Sequence, residues 1–208
     1  MPTSNLTPSD ALRRLEEGNR RFISGLKSID TMATHQQRAD LAENGQRPYA
    51  IILGCADSRA PAELIFDAGL GDLFVVRVAG NIVAPSLLGS IEFAATNFKS
   101  PLCVVLGHTL CGAVAATAEL VASRQRAPTD HIQDIVLEIE PSVRLAMAAA
   151  SPVAASVVVE EATRLNVRRS MERLTERSSV LSGLVAGGTF KIVGGVYNLR
   201  TGHVDFLD

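Results

Sequence analysis

Two apolar runs that each lead into a metal-binding type of residue constrain this chain more than any other feature. Tyr49-Ala-Ile-Ile-Leu-Gly54 runs into Cys55, and Leu102-Cys-Val-Val-Leu-Gly107 runs into His108. Short runs rich in Val and Ile and bounded by Pro or Gly have the pattern of parallel strands covered on both faces. Each is followed by a helix-like segment, so Cys55 and His108 are expected at the carboxyl ends of two strands. Open α/β sheets bind their ligands there. Cys111 follows His108 by three residues at the start of a helix, whose positive end lowers a thiol pKa. Two thiolates and an imidazole converging at strand ends make a zinc site. Three protein ligands rather than four leave one coordination position open, as in catalytic zinc sites.

The remaining periodicity fits this frame. Thr7-Pro8-Ser9-Asp10 has the form of a helix start, with Leu12, Leu15, Phe22, Ile23 and Leu26 close to one face and Gly25 at the end. A short helix is expected around Gln36–Glu43, ending at Asn44-Gly45. From Tyr49 strands and helices alternate: strand Tyr49–Gly54, helix Ala62–Phe66, strand Leu73–Val78, helix Leu87–Phe98, strand Leu102–Gly107, then a helix from Cys111 to about Ser123. The predicted fold class is therefore α/β, a central and mainly parallel sheet flanked by helices. After a polar loop at 124–130, helical segments are expected to be interrupted by Pro141. Pro152 is read as restarting a long helix that extends toward Leu184 and ends at Gly187-Gly188. Phe190–Tyr197 and His203–Phe206 read as a closing edge strand and hairpin. Nothing divides the chain, so residues 1–208 are read as one domain, with 1–27 an N-terminal helical arm. That arm could pack on its own domain or on a neighbouring subunit.

Composition serves to exclude. With 47% hydrophobic and 20% charged residues and a net charge of −2, nothing suggests a nucleic-acid or membrane partner. No run approaches the roughly 18 apolar residues of a membrane span. Three cysteines, an odd number, with no secretory pattern at the start, fit metal-binding or buried thiols in a reducing cytoplasm.

Other candidates divide by position. Asp57 and Arg59 follow a ligand at once, and a carboxylate gripped by arginine stays ionised and can accept a hydrogen bond beside the metal. Asp57 could instead reach the open position as a fourth ligand, unless Arg59 holds it away. Cys103 lies inside a strand and reads as a small buried hydrophobe. His35, His131 and His203 stand isolated among polar residues. Gly187-Gly188 and Gly194-Gly195 match no phosphate-binding pattern and read as turns or close backbone approaches.

Cys-Ala-Asp-Ser-Arg (55–59), Gly-Asp-Leu-Phe-Val-Val-Arg-Val-Ala-Gly-Asn (71–81) and Gly-His-Thr-Leu-Cys-Gly (107–112) together resemble the signature blocks of β-class carbonic anhydrases. The resemblance runs from about residue 10 to the C-terminus. It implies one Zn2+ per chain on Cys55, His108 and Cys111, with Asp57 and Arg59 as a catalytic dyad. It makes Gln46 a residue that reaches the neighbouring subunit's substrate site. Phe74 matches an apolar pocket residue, Gly112 follows the last ligand as in the family, and Val78 joins Phe74 and Phe93 as pocket lining. Phe93 stands where a tyrosine is often found, and Ala79 where a valine often lines the pocket. Ile52 replaces the tryptophan of the bicarbonate-inhibited subgroup, which implies the plant-like one. The implied reaction is reversible hydration of CO2 to bicarbonate, zinc lowering the pKa of its water to supply hydroxide. The implied assembly is a homodimer or homotetramer with the N-terminal helix across the partner. The same site would also suit carbonyl sulfide or carbon disulfide, which are likewise linear and attacked at carbon. A structural zinc or bicarbonate-sensing role would require a saturated metal. A zinc deaminase would require His-x-Glu and Pro-Cys-x-x-Cys motifs that are absent.

Overall fold

In the computed structural model, residues 6–26, 28, 34–149 and 154–207 are described. Five strands form one sheet: β1 (Ala50–Cys55), β2 (Leu73–Val78), β3 (Leu102–His108), β4 (Lys191–Tyr197) and β5 (Val204–Leu207). Their spatial order is β2-β1-β3-β4-β5, and every pairing is parallel except that of β4 with β5. The expected α/β sheet and its closing hairpin are thus present. From β1 the chain steps outward to β2, then returns to the other side of β1 to lay down β3. This reversal opens a crevice at the carboxyl ends of β1 and β3, the position where such sheets bind ligands.

Side-chain alternation along the strands supplies two buried faces. Ile52, Val104, Leu106 and Val193 pack with Leu15, Ile65 and Phe66 on one side. That side is covered by α1 (Pro8–Ser24) and the short α3 (Ala62–Ile65). Ile51, Leu53, Cys103, Val105 and Val196 face the other way, toward Ile91, Val167, Leu174 and Leu181. These belong to α4 (Pro85–Asn97), α7 (Ala155–Glu176) and α8 (Ser179–Ala186). A third cluster gathers Cys55, Ile82, Cys111, Val114, Ile139, Val143 and Ala162. Here α5 (Gly112–Ser123) and α6 (Asp130–Ala149) meet α7. The remaining helix, α2 (His35–Asn44), carries a Thr34 capping box and ends at Gly45.

The N-terminal helix packs on its own chain. Thr7 caps it through Asp10 N at 3.1 Å, and Gly25 ends it at φ 70°. Buried Asn19 bonds to the carbonyls of Ile65 and Gly202 and accepts from Val204 N. Arg14 pairs with Asp72 and Arg21 with Asp67. Gly18 permits the close approach, since a Cβ there would lie 1.9 Å from the Phe66 carbonyl oxygen.

Two expectations are corrected. Pro141 does not interrupt the helix: α6 runs unbroken from Asp130 to Ala149 with the proline inside it. The one hydrogen bond that Pro141 cannot donate is outweighed by burial of Val136, Ile139, Val143 and Ala146 along the same face. Conversely, the long final helix is two helices. Ser178 caps α8 by accepting from Leu181 N at 3.1 Å, while Arg177 binds the Val83 carbonyl and Glu138. An available N-cap serine and an anchored arginine redirect the chain there. The expected restart at Pro152 lies outside the described residues. Helix α4 begins at Pro85, two residues before the expected Leu87, with the proline in its first turn as helices favour.

Candidate metal centre

Cys55 ends β1 and His108 ends β3. The parallel register pairs Gly54 with Leu106, which puts Cys55 level with Gly107 and one residue short of His108. Leu110, at φ 56°, turns the chain so that Cys111 becomes the residue before α5. One ligand atom from each of Cys55, His108 and Cys111 lies within 4.8 Å of the others, and all three residues are buried.

The donors suit a soft divalent cation. His108 Nδ1 is 2.9 Å from the Thr109 carbonyl, a contact that takes the ring proton on Nδ1 and leaves the Nε2 lone pair free. Nε2 is buried and has no hydrogen-bond partner in the described structure. A buried imidazole nitrogen without a partner is costly, and a metal ion held by Cys55, His108 and Cys111 would satisfy it. Cys55 is pushed well below the usual thiol value, first by the hydrogen bond from Cys111, and Cys111 is correspondingly raised. Burial opposes ionisation of His108, but the Cys55 thiolate and the Thr109 carbonyl outweigh it and raise its pKa. Buried thiolate character is what a zinc ligand set needs.

Asp57 sits beside the cluster, its Oδ2 3.9 Å from His108 Nε2. Arg59 takes both carboxylate oxygens, Nε to Oδ1 at 2.9 Å and Nη2 to Oδ2 at 2.7 Å, and its backbone N–H adds a third bond. This grip, more than burial opposing it, holds Asp57 far below the usual carboxylate range. Arg59 Nη2 also reaches the Leu110 carbonyl at 3.3 Å, tying the dyad to the turn that carries Cys111. Asp57 is thus engaged by Arg59 in this structure.

The other expected site residues separate in space. Val78 pairs with Cys55 in register and Ala79 follows it, so both lie at the cluster. Gly112 opens α5 beside Cys111, with open space where a side chain would be. Phe74 lies four residues back along β2, about 13 Å at a strand's rise per residue. It packs with Phe93 and Phe98 instead, at centroid distances of 6.4 and 5.8 Å. Phe93 is 51% exposed on α4. Gln46 is exposed and precedes β1, at the end of the sheet opposite Cys55. Within one chain, then, Gln46, Phe74 and Phe93 are not brought to the ligands. Cys103 is fully buried in β3, its thiol pushed up to about 12 by burial, as the sequence suggested.

Three contributors escaped the sequence reading. Arg77 binds the Cys55 carbonyl through Nε at 2.9 Å and the Asp57 carbonyl through Nη2, bracing the loop between them. A lone arginine near the end of an apolar strand was the available signal. Gly80, in a 3-10 turn over Ala79–Asn81, donates its N–H to Cys55 Sγ at 3.4 Å. The Gly80 carbonyl is in turn held by Asn166 of α7 at 2.8 Å. An asparagine on the apolar side of a helix marked that position.

Comparison with known proteins agrees with this geometry. The family model described as "Carbonic anhydrase" matches residues 50–204. The chain is 40% identical over 205 residues to the carbonic anhydrase of Mycolicibacterium smegmatis, covering 99% of this chain and 95% of that protein. It is 41% identical over 208 residues to carbonic anhydrase 2 of Mycobacterium tuberculosis, covering 100% and 96%. Among solved structures, the β-carbonic anhydrase CcaA superposes with a TM-score of 0.76 at 26% identity, covering 95% of this chain and 87% of that one. A tetrameric β-carbonic anhydrase of Sordaria macrospora shares the fold, with a TM-score of 0.72 at 22% identity over 83% and 88% of the two chains. With the family model spanning most of its length, and two mycobacterial carbonic anhydrases alike from end to end, the chain belongs to the β class of the carbonic anhydrase family.

Proposed function

We propose that this carbonic anhydrase hydrates CO2 at a single zinc ion held by Cys55, His108 and Cys111. The observation that carries the reading is the buried, unpartnered His108 Nε2 facing two cysteines, one of them favoured as thiolate. Zinc in such a site supplies a Lewis acid that makes hydroxide available near neutral pH for addition to CO2. Asp57 stays ionised throughout the working range because Arg59 grips both its oxygens. So weak a base stores no proton, but its Oδ2 can accept a hydrogen bond from the attacking water and orient it. Val78, Ala79 and the bare Gly112 leave an apolar, uncrowded surface for a linear substrate. Arg77 holds the Cys55 and Asp57 carbonyls and so fixes the loop that carries Asp57. Ile52, standing where the bicarbonate-inhibited subgroup has tryptophan, favours the plant-like subgroup.

Stopped-flow CO2 hydration on metal-quantified protein tests this reading. The expected result is about one zinc per chain and turnover proportional to zinc, with carbonyl sulfide hydrolysed more slowly. Faster turnover of carbonyl sulfide would move the assignment to that substrate, and zinc-loaded but inactive protein would sink it. Arg59→Ala frees the Asp57 carboxylate, and kcat is expected to fall about tenfold to a hundredfold while zinc stays bound. Wild-type kcat in that variant would remove Asp57–Arg59 from the mechanism.

The assembly is proposed to be a homodimer or a homotetramer in which each site receives Gln46 from a neighbour. Its support is the placement of Gln46 at the far end of the sheet and the exposure of Phe93 beside Phe74. Gln46→Ala chains and Cys111→Ser chains, each of low activity alone, are expected to recover activity when unfolded and refolded together. Mixed pairs then hold one site with both an intact metal set and an intact glutamine. No recovery from a mixture that forms hybrids would refute the shared site. A cytoplasmic location is proposed from the three free cysteines, two of which must stay reduced to bind metal. No described helix is long and apolar enough to cross a membrane.

A further inference from the structure

We propose that Asn166 is a positioning residue for the metal ligand Cys55, acting through the backbone amide of Gly80. The proposal rests on the zinc reading above. Thr163, Asn166, Val167 and Ser170 form a buried stripe of α7 at helical spacing. Burying an asparagine there costs free energy unless its amide is bonded. Asn166 Nδ2 donates to the Gly80 carbonyl at 2.8 Å, and one helical turn later Ser170 Oγ donates to the Asn81 carbonyl at 3.1 Å. Two successive carbonyls of the 3-10 turn are therefore clamped from a helix far along the chain.

The clamp sets the direction of the turn. Gly80 lies at φ 72° and Asn81 at φ 45°, so two consecutive residues occupy the left-handed region, which glycine and asparagine tolerate best. A Cβ on Gly80 would meet Ile139 Cδ1 at 2.5 Å, so the turn is also closely covered from α6. With both carbonyls fixed, the preceding peptide has little freedom, and its N–H is aimed at Cys55 Sγ, 3.4 Å away.

An N–H···S bond draws charge from a thiolate and makes it a weaker donor. With two thiolates in the ligand set, the ion's charge is already offset, and each reduction in sulfur donation restores some of its acidity. The hydrogen bond of Asn166 goes to the Gly80 carbonyl and not to a ligand side chain. Its effect reaches the site only through the direction of one amide.

The test reads the sulfur directly. Cobalt(II) replaces zinc in the full-length protein, and the sulfur-to-cobalt charge-transfer band in the near ultraviolet is compared in wild type, Asn166→Ala and Ser170→Ala. Loss of the N–H···S bond raises the sulfur lone-pair energy. The band is therefore expected at longer wavelength in Asn166→Ala and shifted less, in the same direction, in Ser170→Ala. The zinc forms should retain metal with kcat lowered about tenfold. A purely structural asparagine would lower thermal stability and leave the band in place, and an unshifted band in folded, loaded variants overturns the proposal. Should Asn166→Ala fail to fold, Ser170→Ala decides in the same way, since it removes only one hydroxyl. A wild-type protein without any charge-transfer band would overturn the zinc reading, and this proposal with it.

Discussion

Cys111→Ser is expected to lose most of its zinc and to hydrate CO2 about a thousandfold or more slowly than wild type. A metal site accounts for most of an enhancement that in enzymes is commonly ~10^6 or greater. Cys111 is 1% exposed and stands directly before α5. A serine hydroxyl at that position keeps the size but not the soft, readily ionised donor that favours zinc. It also leaves Cys55 as the one sulfur of the ligand set. Metal analysis and stopped-flow hydration, with circular dichroism to verify the fold, check the result. Full zinc occupancy in a folded Cys111→Ser chain would falsify the ligand assignment.

The second large effect concerns stability. Asn19→Ala is expected to destabilise the protein by about 3 kcal/mol, because three backbone groups lose their partner at once. The side-chain amide donates to Ile65 O at 3.1 Å and Gly202 O at 2.8 Å, and its carbonyl accepts from Val204 N at 3.0 Å. Asn19 is 4% exposed, so water cannot replace those bonds without opening the contact between α1, α3 and the β4–β5 hairpin. For a chain of this length the loss corresponds to a fall in Tm of roughly 6–12 °C. Thermal unfolding of the zinc-loaded protein at fixed concentration measures it. A change of less than a degree would mean that α1 is not fastened through this residue.

Much of the site was legible because its residues sit at positions that local pattern defines. Cys55 and His108 follow uninterrupted apolar runs, and an apolar run must end where the covering helices end. Asp57 and Arg59 lie in the turn that leaves the first strand, so only a few intervening dihedral angles set their relation. Pro141 misled for the converse reason. A proline forbids one hydrogen bond locally, but whether the helix survives depends on the apolar face it presents to α5 and α7.

The sequence by itself determined which segments are strands, which ends of them bear donors, and that the donors are soft. These follow from side-chain periodicity and ligand chemistry, both readable within a few residues. Only the tertiary structure decided that β1 and β3 are neighbours, so that Cys55 and His108 meet. It alone directed Asn166 to a carbonyl 86 residues away and left Gln46 at the end of the sheet remote from its own chain's ligands. Strand order and helix docking are chosen by the total burial they achieve, a sum over contacts distant in sequence. No local stretch contains that sum.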